Sequence, residues 1–134
     1  MRKGFSVKLR LLVLGMLITS MFALNAYAGT VYFSSTTLAS GHVSHSYPSG
    51  NTNGWRVVSG TTVKLSYTLG AATSNVHFGL LNSSTNGYTK FGTFSGTKTL
   101  TKSKSIGTTA YYKASITNNS ASSISIKNTS YISY

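Results

Sequence analysis

Residues 62–69, TVKLSYTL, have the sequence pattern of a β-strand with one buried face. Its apolar residues, Val63, Leu65, Tyr67 and Leu69, alternate with Thr, Lys, Ser and Thr. In an extended chain successive side chains point to opposite faces, so strict alternation gives one buried face and one solvated face. A strand of this kind is typical of an antiparallel sheet whose apolar face lies on the core.

The same two-residue period recurs along most of the chain after Ala28, where no stretch has the i, i+3, i+4, i+7 apolar spacing of a helix. Turn-rich segments separate the runs. NSSTNG at 82–87 is one, and Ser95-Gly96 is expected to form a two-residue hairpin loop. Further strands are expected near 30–35, 42–46, 55–58, 76–81, 88–94, 108–117, 123–127 and 131–134. We therefore predict an all-β fold, a single antiparallel, jelly-roll-like β-sandwich of about eight strands.

Three segments within residues 60–127 carry a resemblance to a known family: GTTVKLSYTL, VHFGLLN and AYYKASITNNSASSISI. In the spacing of these strands the chain resembles the small β-sandwich modules of the pre-peptidase C-terminal type, which accompany secreted bacterial enzymes. The resemblance implies the same sandwich fold. Those modules often carry acidic residues in their loops; this sequence has none, so the resemblance implies no calcium site.

Residues 1–28 have the three parts of a secretory signal peptide. Four basic residues flank or precede an uncharged apolar run at 11–24, and Ala26-Tyr27-Ala28 supplies the small residues of a cleavage site. The run is shorter than the about 20 residues that a spanning helix needs. We expect cleavage after Ala28. The mature domain, residues 29–134, is then expected to be secreted to the medium or the cell surface, with no transmembrane segment.

The composition excludes most catalytic chemistry. The 134 residues include no Asp, no Glu and no Cys. Carboxylate pairs, Ser-His-Asp triads, carboxylate-bound calcium or magnesium and cysteine nucleophiles are therefore all excluded. Two of the three histidines, His42 and His45, would point to opposite faces of a strand. We expect no enzyme activity, no bound metal and no cofactor. An exported domain without disulfides also suggests a bacterial source.

The charge balance is one-sided. The chain carries twelve Lys and Arg residues, of which eight lie in residues 29–134. Without acidic side chains, each of these cations is either solvated or neutralised by an anion from outside the chain. One interpretation is solubility; the other is an anionic partner, either a cell-envelope polymer or a lipid surface. Nucleic acid would match the charge, but the expected location outside the cell argues against it.

Two segments are candidate binding sites. In TKTLTKSKS, residues 97–105, strand parity places Lys98, Lys102 and Lys104 in one row. Such a row either binds anions or protects a sheet edge against aggregation. The turn-rich segment 41–55 contributes Tyr47 and Trp55, whose rings could stack on sugars from a loop. The alternative is that Trp55 begins a strand and covers the core.

Three functions remain open on this sequence. The first is a small secreted cationic bacterial protein that binds or acts on an anionic cell envelope, as bacteriocin-like antimicrobial proteins do. The second is a non-catalytic module that binds carbohydrate or cell wall. The third is a structural protein of an extracellular matrix or surface layer, which the Ser, Thr, Gly and Tyr content favours.

Overall fold

The computed structural model describes residues 29–134, so the expected signal peptide at 1–28 lies outside the described residues. Within this range the chain forms nine strands and no helix. All strand pairs are antiparallel, which confirms the predicted all-β antiparallel fold. The strands are β1 (Thr30–Tyr32), β2 (Thr36–Leu38), β3 (Val43–Ser46), β4 (Trp55–Val57), β5 (Thr62–Asn82), β6 (Tyr88–Ser105), β7 (Ala110–Asn118), β8 (Ile124–Ile126) and β9 (Tyr131–Ser133).

A long hairpin of β5 and β6 dominates the structure. The two strands pair from Thr62↔Ser105 to Leu81↔Tyr88. The turn predicted at 82–87 is confirmed, and the Asn82 backbone N–H donates to the Gly87 carbonyl oxygen at 2.9 Å. The hairpin loop predicted at Ser95-Gly96 is wrong, because both residues lie inside β6. The sequence pattern predicts several short strands here, but the structure has two long, bent strands, β5 and β6.

The bend is built from bulges. The register shifts four times between Thr68 and Gly79, three of them before Val76, and Asn75 has the left-handed backbone angle φ of 61°. A bulge inserts an unpaired residue and bends its strand. It also changes parity, because the large buried apolar side chains of β5 are odd-numbered before the bend (Val63, Leu65, Tyr67 and Leu69) and even-numbered after it (Val76, Phe78 and Leu80). Apolar side chains therefore point inward on both sides of the bend, and the sheet curls around one core.

The two halves of β5 have different neighbours. Residues 64–66 pair with β9, which pairs in turn with β1. Residues 76–82 pair with β7, which carries both β3 and β4 on its far edge. β8 pairs with β5 at Leu69, and β2 pairs with β8. The result is one curled antiparallel sheet of nine strands; the eight-stranded sandwich stays a prediction.

The core fills the inside of the curl. Its aromatic centre is a chain of tilted rings, with Tyr67 and Phe78 centroids 5.2 Å apart and Phe78 and Phe94 centroids 5.9 Å apart. The buried side chain of Asn118 links the end of β7 to the end of β2 and to the loop after β7. Its Nδ2 donates to the carbonyl oxygens of Leu38 at 3.0 Å and Ser122 at 2.8 Å. Its amide satisfies backbone groups that burial would otherwise leave unpaired.

Candidate binding surfaces

The second half of β6 is solvent-exposed and lies at an edge of the sheet. β6 pairs only with β5, so its other edge has no strand partner among residues 29–134. From Ser95 to Ser105 every residue is exposed except the half-buried Leu100. Lys98, Lys102 and Lys104 lie here with exposed side chains; we call these three residues the lysine edge. Their ammonium groups are presented along one open border of the sheet.

The register shows to which side the lysine edge points. Lys104 lies opposite Val63, and Lys102 lies opposite Leu65. Directly opposed residues project to the same face, so both lysines share the face of the core residues, at its rim. A Cβ added to Gly92 would lie 3.0 Å from the Lys102 Cγ, so this stem packs near Gly92. The aliphatic stem covers apolar surface while the charged group stays in water. Lys98 lies at the bend, where the register shifts.

The structure separates the two aromatic residues of the 41–55 segment. Tyr47 directly follows β3 and is 47% exposed, so its ring is available to a ligand. Trp55 begins β4, is 3% exposed and packs against Phe33 with ring centroids 6.0 Å apart. Of the two alternatives for Trp55, stacking on a ligand or covering the core, its burial favours the second. Its ring covers the core because β4 pairs with β7, opposite the buried Tyr112.

A groove of about 530 Å³ runs between the start of the chain and β3. Tyr32 and Phe33 line one side, Tyr47 and Pro48 line the other, and Trp55 contributes to the lining. The Trp55 Nε1 is buried and has no hydrogen-bond partner among the described residues. The groove walls carry hydroxyls and aromatic rings, and His45 is the one titratable side chain in the lining apart from the tyrosines.

The outer face of the sheet carries a second group of exposed aromatic residues. Tyr88 on β6 and Tyr111 on β7 are 41% and 39% exposed. Lys113 lies two residues after Tyr111 on the same side of β7, and its Nζ is 5.9 Å from the centroid of the Tyr47 ring. We call Tyr47, Tyr88, Tyr111 and Lys113 the tyrosine face. Sequence reasoning missed all but Tyr47, although the alternation at 110–117 marks Tyr111 and Lys113 as outward positions.

Two histidines flank the tyrosine face. Partial burial, with the nearby Lys113 charge, lowers the pKa of His45. Partial burial, with the nearby Lys90 charge, lowers the pKa of His77. Burial raises the pKa of Tyr88 to about 12. These shifts favour the uncharged forms of His45, His77 and Tyr88 at neutral pH. The charges beside this face are those of its lysines and of Arg56, which lies opposite Tyr111.

The histidines are not gathered into a metal site. His42 contacts the Ser40 carbonyl oxygen at 3.0 Å through Nδ1, and His77 contacts the Asn119 amide at 3.4 Å. Across residues 29–134, no three metal-ligating side chains come together. Nor does this part of the chain contain a helix that is long and apolar enough to cross a membrane.

No known protein family, curated protein or solved structure matches the chain.

Proposed function

We propose that this chain is a small exported cationic protein that binds an anionic polymer or lipid surface of a cell envelope and acts there in the manner of a bacteriocin. The observation that carries the proposal is the lysine edge. Three ammonium groups project from a strand border without a neighbour among the described residues, in a chain that has no acidic side chain. Their charge is available to an external anion because no carboxylate side chain competes for it.

The geometry of the lysine edge suits an extended anion. Residues two apart on a strand are separated by about 7 Å, so Lys98 and Lys104 are on the order of 20 Å apart along the strand axis if the bend at Lys98 is ignored. An anionic chain or a plane of phosphate headgroups presents many charges over such a distance. Exposed charges are screened over about 8 Å at physiological ionic strength, so the interaction should weaken steeply with salt.

The scaffold supports this presentation. We also propose that the curl brings the two halves of the sheet together as the layers of a sandwich, the arrangement predicted from the strand spacing. A Cβ added to Gly92 would lie 3.2 Å from the Leu100 Cδ2, so the first and second halves of β6 approach each other. That packing supports the sandwich proposal and holds the lysine edge in place.

The test is binding of residues 29–134 to anionic vesicles, to inorganic polyphosphate and to neutral vesicles. The triple variant Lys98→Gln, Lys102→Gln and Lys104→Gln should bind anionic vesicles about 100-fold more weakly, since each lysine near an anionic surface contributes about 1 kcal/mol. The matched control removes the same charge elsewhere, by Lys64→Gln, Lys90→Gln and Lys127→Gln. It should retain most of the binding.

Three outcomes would count against this proposal. Equal losses in the two triple variants would show that net charge acts without a site. Equal binding of neutral and anionic vesicles would exclude the electrostatic contact. Killing of a sensitive bacterium should fall in parallel with binding; killing that survives loss of the lysine edge would separate the activity from this surface.

A further inference from the structure

The two ends of the curled sheet face each other across the groove of about 530 Å³. The strand path runs from β1 through β9, β5 and β7 to β3. Among residues 29–134, β1 pairs only with β9 and β3 pairs only with β7. Residues 31–34 and 44–49 line the groove, so it lies between two open strand edges; we call it the seam groove. Its volume is within the range of about 300–1,000 Å³ that is typical of ligand pockets.

Two exposed tyrosine rings border the seam groove, one from each side. Tyr32 on β1 is 64% exposed, and Tyr47, directly after β3, is 47% exposed. The Tyr32 ring meets Tyr131 edge-on with centroids 5.7 Å apart, and the Lys113 Nζ lies 5.9 Å from the Tyr47 centroid. Neither Tyr131 nor Lys113 lines the groove, and the exposed fractions are those that remain beside these contacts. Each ring therefore still presents apolar surface to a molecule in the groove.

Trp55 forms part of the floor of the seam groove. Its side chain lines the groove although the residue is only 3% exposed, and it packs against Phe33, which lines the groove as well. The Trp55 Nε1 is a buried donor without a hydrogen-bond partner among the described residues. Buried polar groups are normally paired, and an indole can only donate. The floor therefore lacks an acceptor, which a bound molecule can supply through a carbonyl oxygen.

The rest of the lining is rich in hydroxyl groups and has no fixed charge. It includes Ser34, Ser44, Ser46 and Ser49. A serine hydroxyl both donates and accepts hydrogen bonds, as the hydroxyls of a sugar do. Among the described residues that line the groove, none is lysine or arginine. Partial burial, with the nearby Lys113 charge, lowers the pKa of His45 and favours its neutral form. A groove of rings and hydroxyls without fixed charge matches a neutral sugar.

We infer that the seam groove binds a neutral, N-acetylated oligosaccharide, in which Tyr32 and Tyr47 stack on sugar rings and the Trp55 indole N–H donates to an acetamido oxygen. The ligand has no charge, so this site differs from the lysine edge in place and in chemistry and does not depend on the proposed envelope binding. An extended peptide is the competing occupant, because its backbone could pair with the two open strand edges. The hydroxyl-rich lining and the two tyrosine rings favour the sugar.

The test titrates residues 29–134 with chitotetraose, a neutral chain of N-acetylglucosamine, and follows the fluorescence of Trp55, the single tryptophan. Chitotetraose should change the Trp55 emission, because the indole lies at the floor of the site. Cellotetraose has the same sugar backbone with a hydroxyl in place of each acetamido group. It should bind about tenfold more weakly, because it lacks the carbonyl acceptor. Added salt should leave the binding of both unchanged, since neither ligand is charged.

Matched variants separate binding from folding, and the thermal midpoint of each checks its fold. Tyr32→Ala and Tyr47→Ala should each weaken chitotetraose binding by up to about tenfold, which is the scale of an aromatic contact. Tyr32→Phe and Tyr47→Phe keep the rings and should retain most of the binding. Tyr111→Ala removes a tyrosine that is 39% exposed and does not line the groove, and it should change nothing.

The lysine-edge triple variant separates this inference from the proposed function. It should bind chitotetraose as the unmodified protein does and lose affinity for polyphosphate. Polyphosphate binding should in turn be unaffected by Tyr32→Ala and Tyr47→Ala. Each of the two proposals can therefore fail while the other holds.

Three results would overturn the inference. One is a folded protein that shows no binding of chitotetraose by Trp55 fluorescence or by calorimetric titration. Another is a loss in Tyr111→Ala as large as that in Tyr32→Ala, which would show that exposed tyrosines act without a site. The third is a neutral blocked peptide, acetyl-tetraalanine amide, that binds as tightly as chitotetraose, which would assign the groove to a peptide. Equal binding of chitotetraose and cellotetraose would overturn the assignment of the Trp55 N–H to an acetamido oxygen.

Discussion

The two strands of the long hairpin share an alternating sequence pattern but differ in how deeply their side chains are buried. β5 contains TVKLSYTL and the second half of β6 contains TKTLTKSKS, and both alternate strictly. In β5 the inward positions are Val63, Leu65 and Tyr67, all fully buried. At the positions facing them, β6 has Lys104, Lys102 and the half-buried Leu100. Alternation predicts a strand, and the residue type at the inward positions predicts whether that strand is central or at an edge.

The contrast has a physical origin in strand neighbours. β5 has partners on both edges, so its backbone groups are paired and its inward face is covered. β6 has one partner among residues 29–134. Inward-pointing charges on an edge strand oppose pairing with another edge. The lysines that we propose bind an anion therefore also protect the border of the sheet, and the two roles are compatible.

The largest expected effect compares the two strands directly. Phe78→Ala in β5 removes a fully buried ring between Tyr67 and Phe94 and should lower the free energy of unfolding by about 3–5 kcal/mol. Leu100→Ala in β6 removes a half-buried side chain and should cost about 1 kcal/mol. Urea denaturation measures both. Equal costs would show that the second half of β6 is packed as tightly as β5.

The next effect concerns the protection of the edge. Lys102→Val with Lys104→Val removes the inward charges and extends the apolar face of Val63 and Leu65 to the border. We expect concentration-dependent association, measured by sedimentation. The control pair, Thr101→Val with Ser103→Val, changes the opposite side of the same strand and should stay monomeric. A monomeric lysine variant at all concentrations would contradict the protective role.

A smaller effect tests the bend that separates the two halves of β5. Asn75 has φ of 61°, and left-handed backbone costs most residues about 1–2 kcal/mol but asparagine and glycine less. Asn75→Ala should therefore lower the free energy of unfolding by about 1 kcal/mol, and Asn75→Gly should leave it nearly unchanged. Thermal denaturation checks the pair. If both variants were equally destabilised, the side chain rather than the backbone of Asn75 would support the bend.

The smallest expected effect is on stability in acid, and it comes from the two histidines that flank the tyrosine face. His45 and His77 have lowered pKa values, so folding favours their neutral forms. Their contribution is complete above the unfolded pKa of about 6.5 and is lost as pH falls through that value to the lowered folded pKa. The thermal midpoint should fall by a few degrees at most between about pH 7.5 and pH 5, then stay level to about pH 2.5.

The level region follows from composition, because the sequence has no Asp or Glu side chain to titrate there. His45→Gln with His77→Gln should remove the first decrease. Scanning calorimetry at constant ionic strength measures both parts. A fall of many degrees between pH 5 and pH 2.5 would contradict this account of what stabilises the fold.

The sequence predicted local structure well and pairing poorly. Alternation marks the strands, and the turn at 82–87 is correct. Ser95-Gly96 has the composition of a hairpin loop, yet Gly96 has φ of 70° within a continuous strand. A local pattern does not distinguish a bulge from a turn, because the difference lies in which strand continues alongside. Here β5 bends at the same point.

The candidate surfaces were also predictable only as far as local sequence determines them. The common parity of Lys98, Lys102 and Lys104 can be read from the sequence, but the side to which they point depends on pairing with Val63 and Leu65. The tyrosine face joins residues from several strands that are distant in sequence, so no local motif marks it. The burial of Trp55 likewise depends on the pairing of β4 with β7.

The single tryptophan supplies an optical consequence. The Trp55 indole is shielded from water and packs against Phe33, so its fluorescence should be emitted at short wavelength in the folded protein and shift to longer wavelength on unfolding. Trp55 lies on β4, which pairs with β7, whereas the lysine edge lies on β6, which pairs with β5. A polyanion bound there should leave the emission unchanged, and intrinsic fluorescence therefore separates a variant that has lost its ligand from one that has lost its fold.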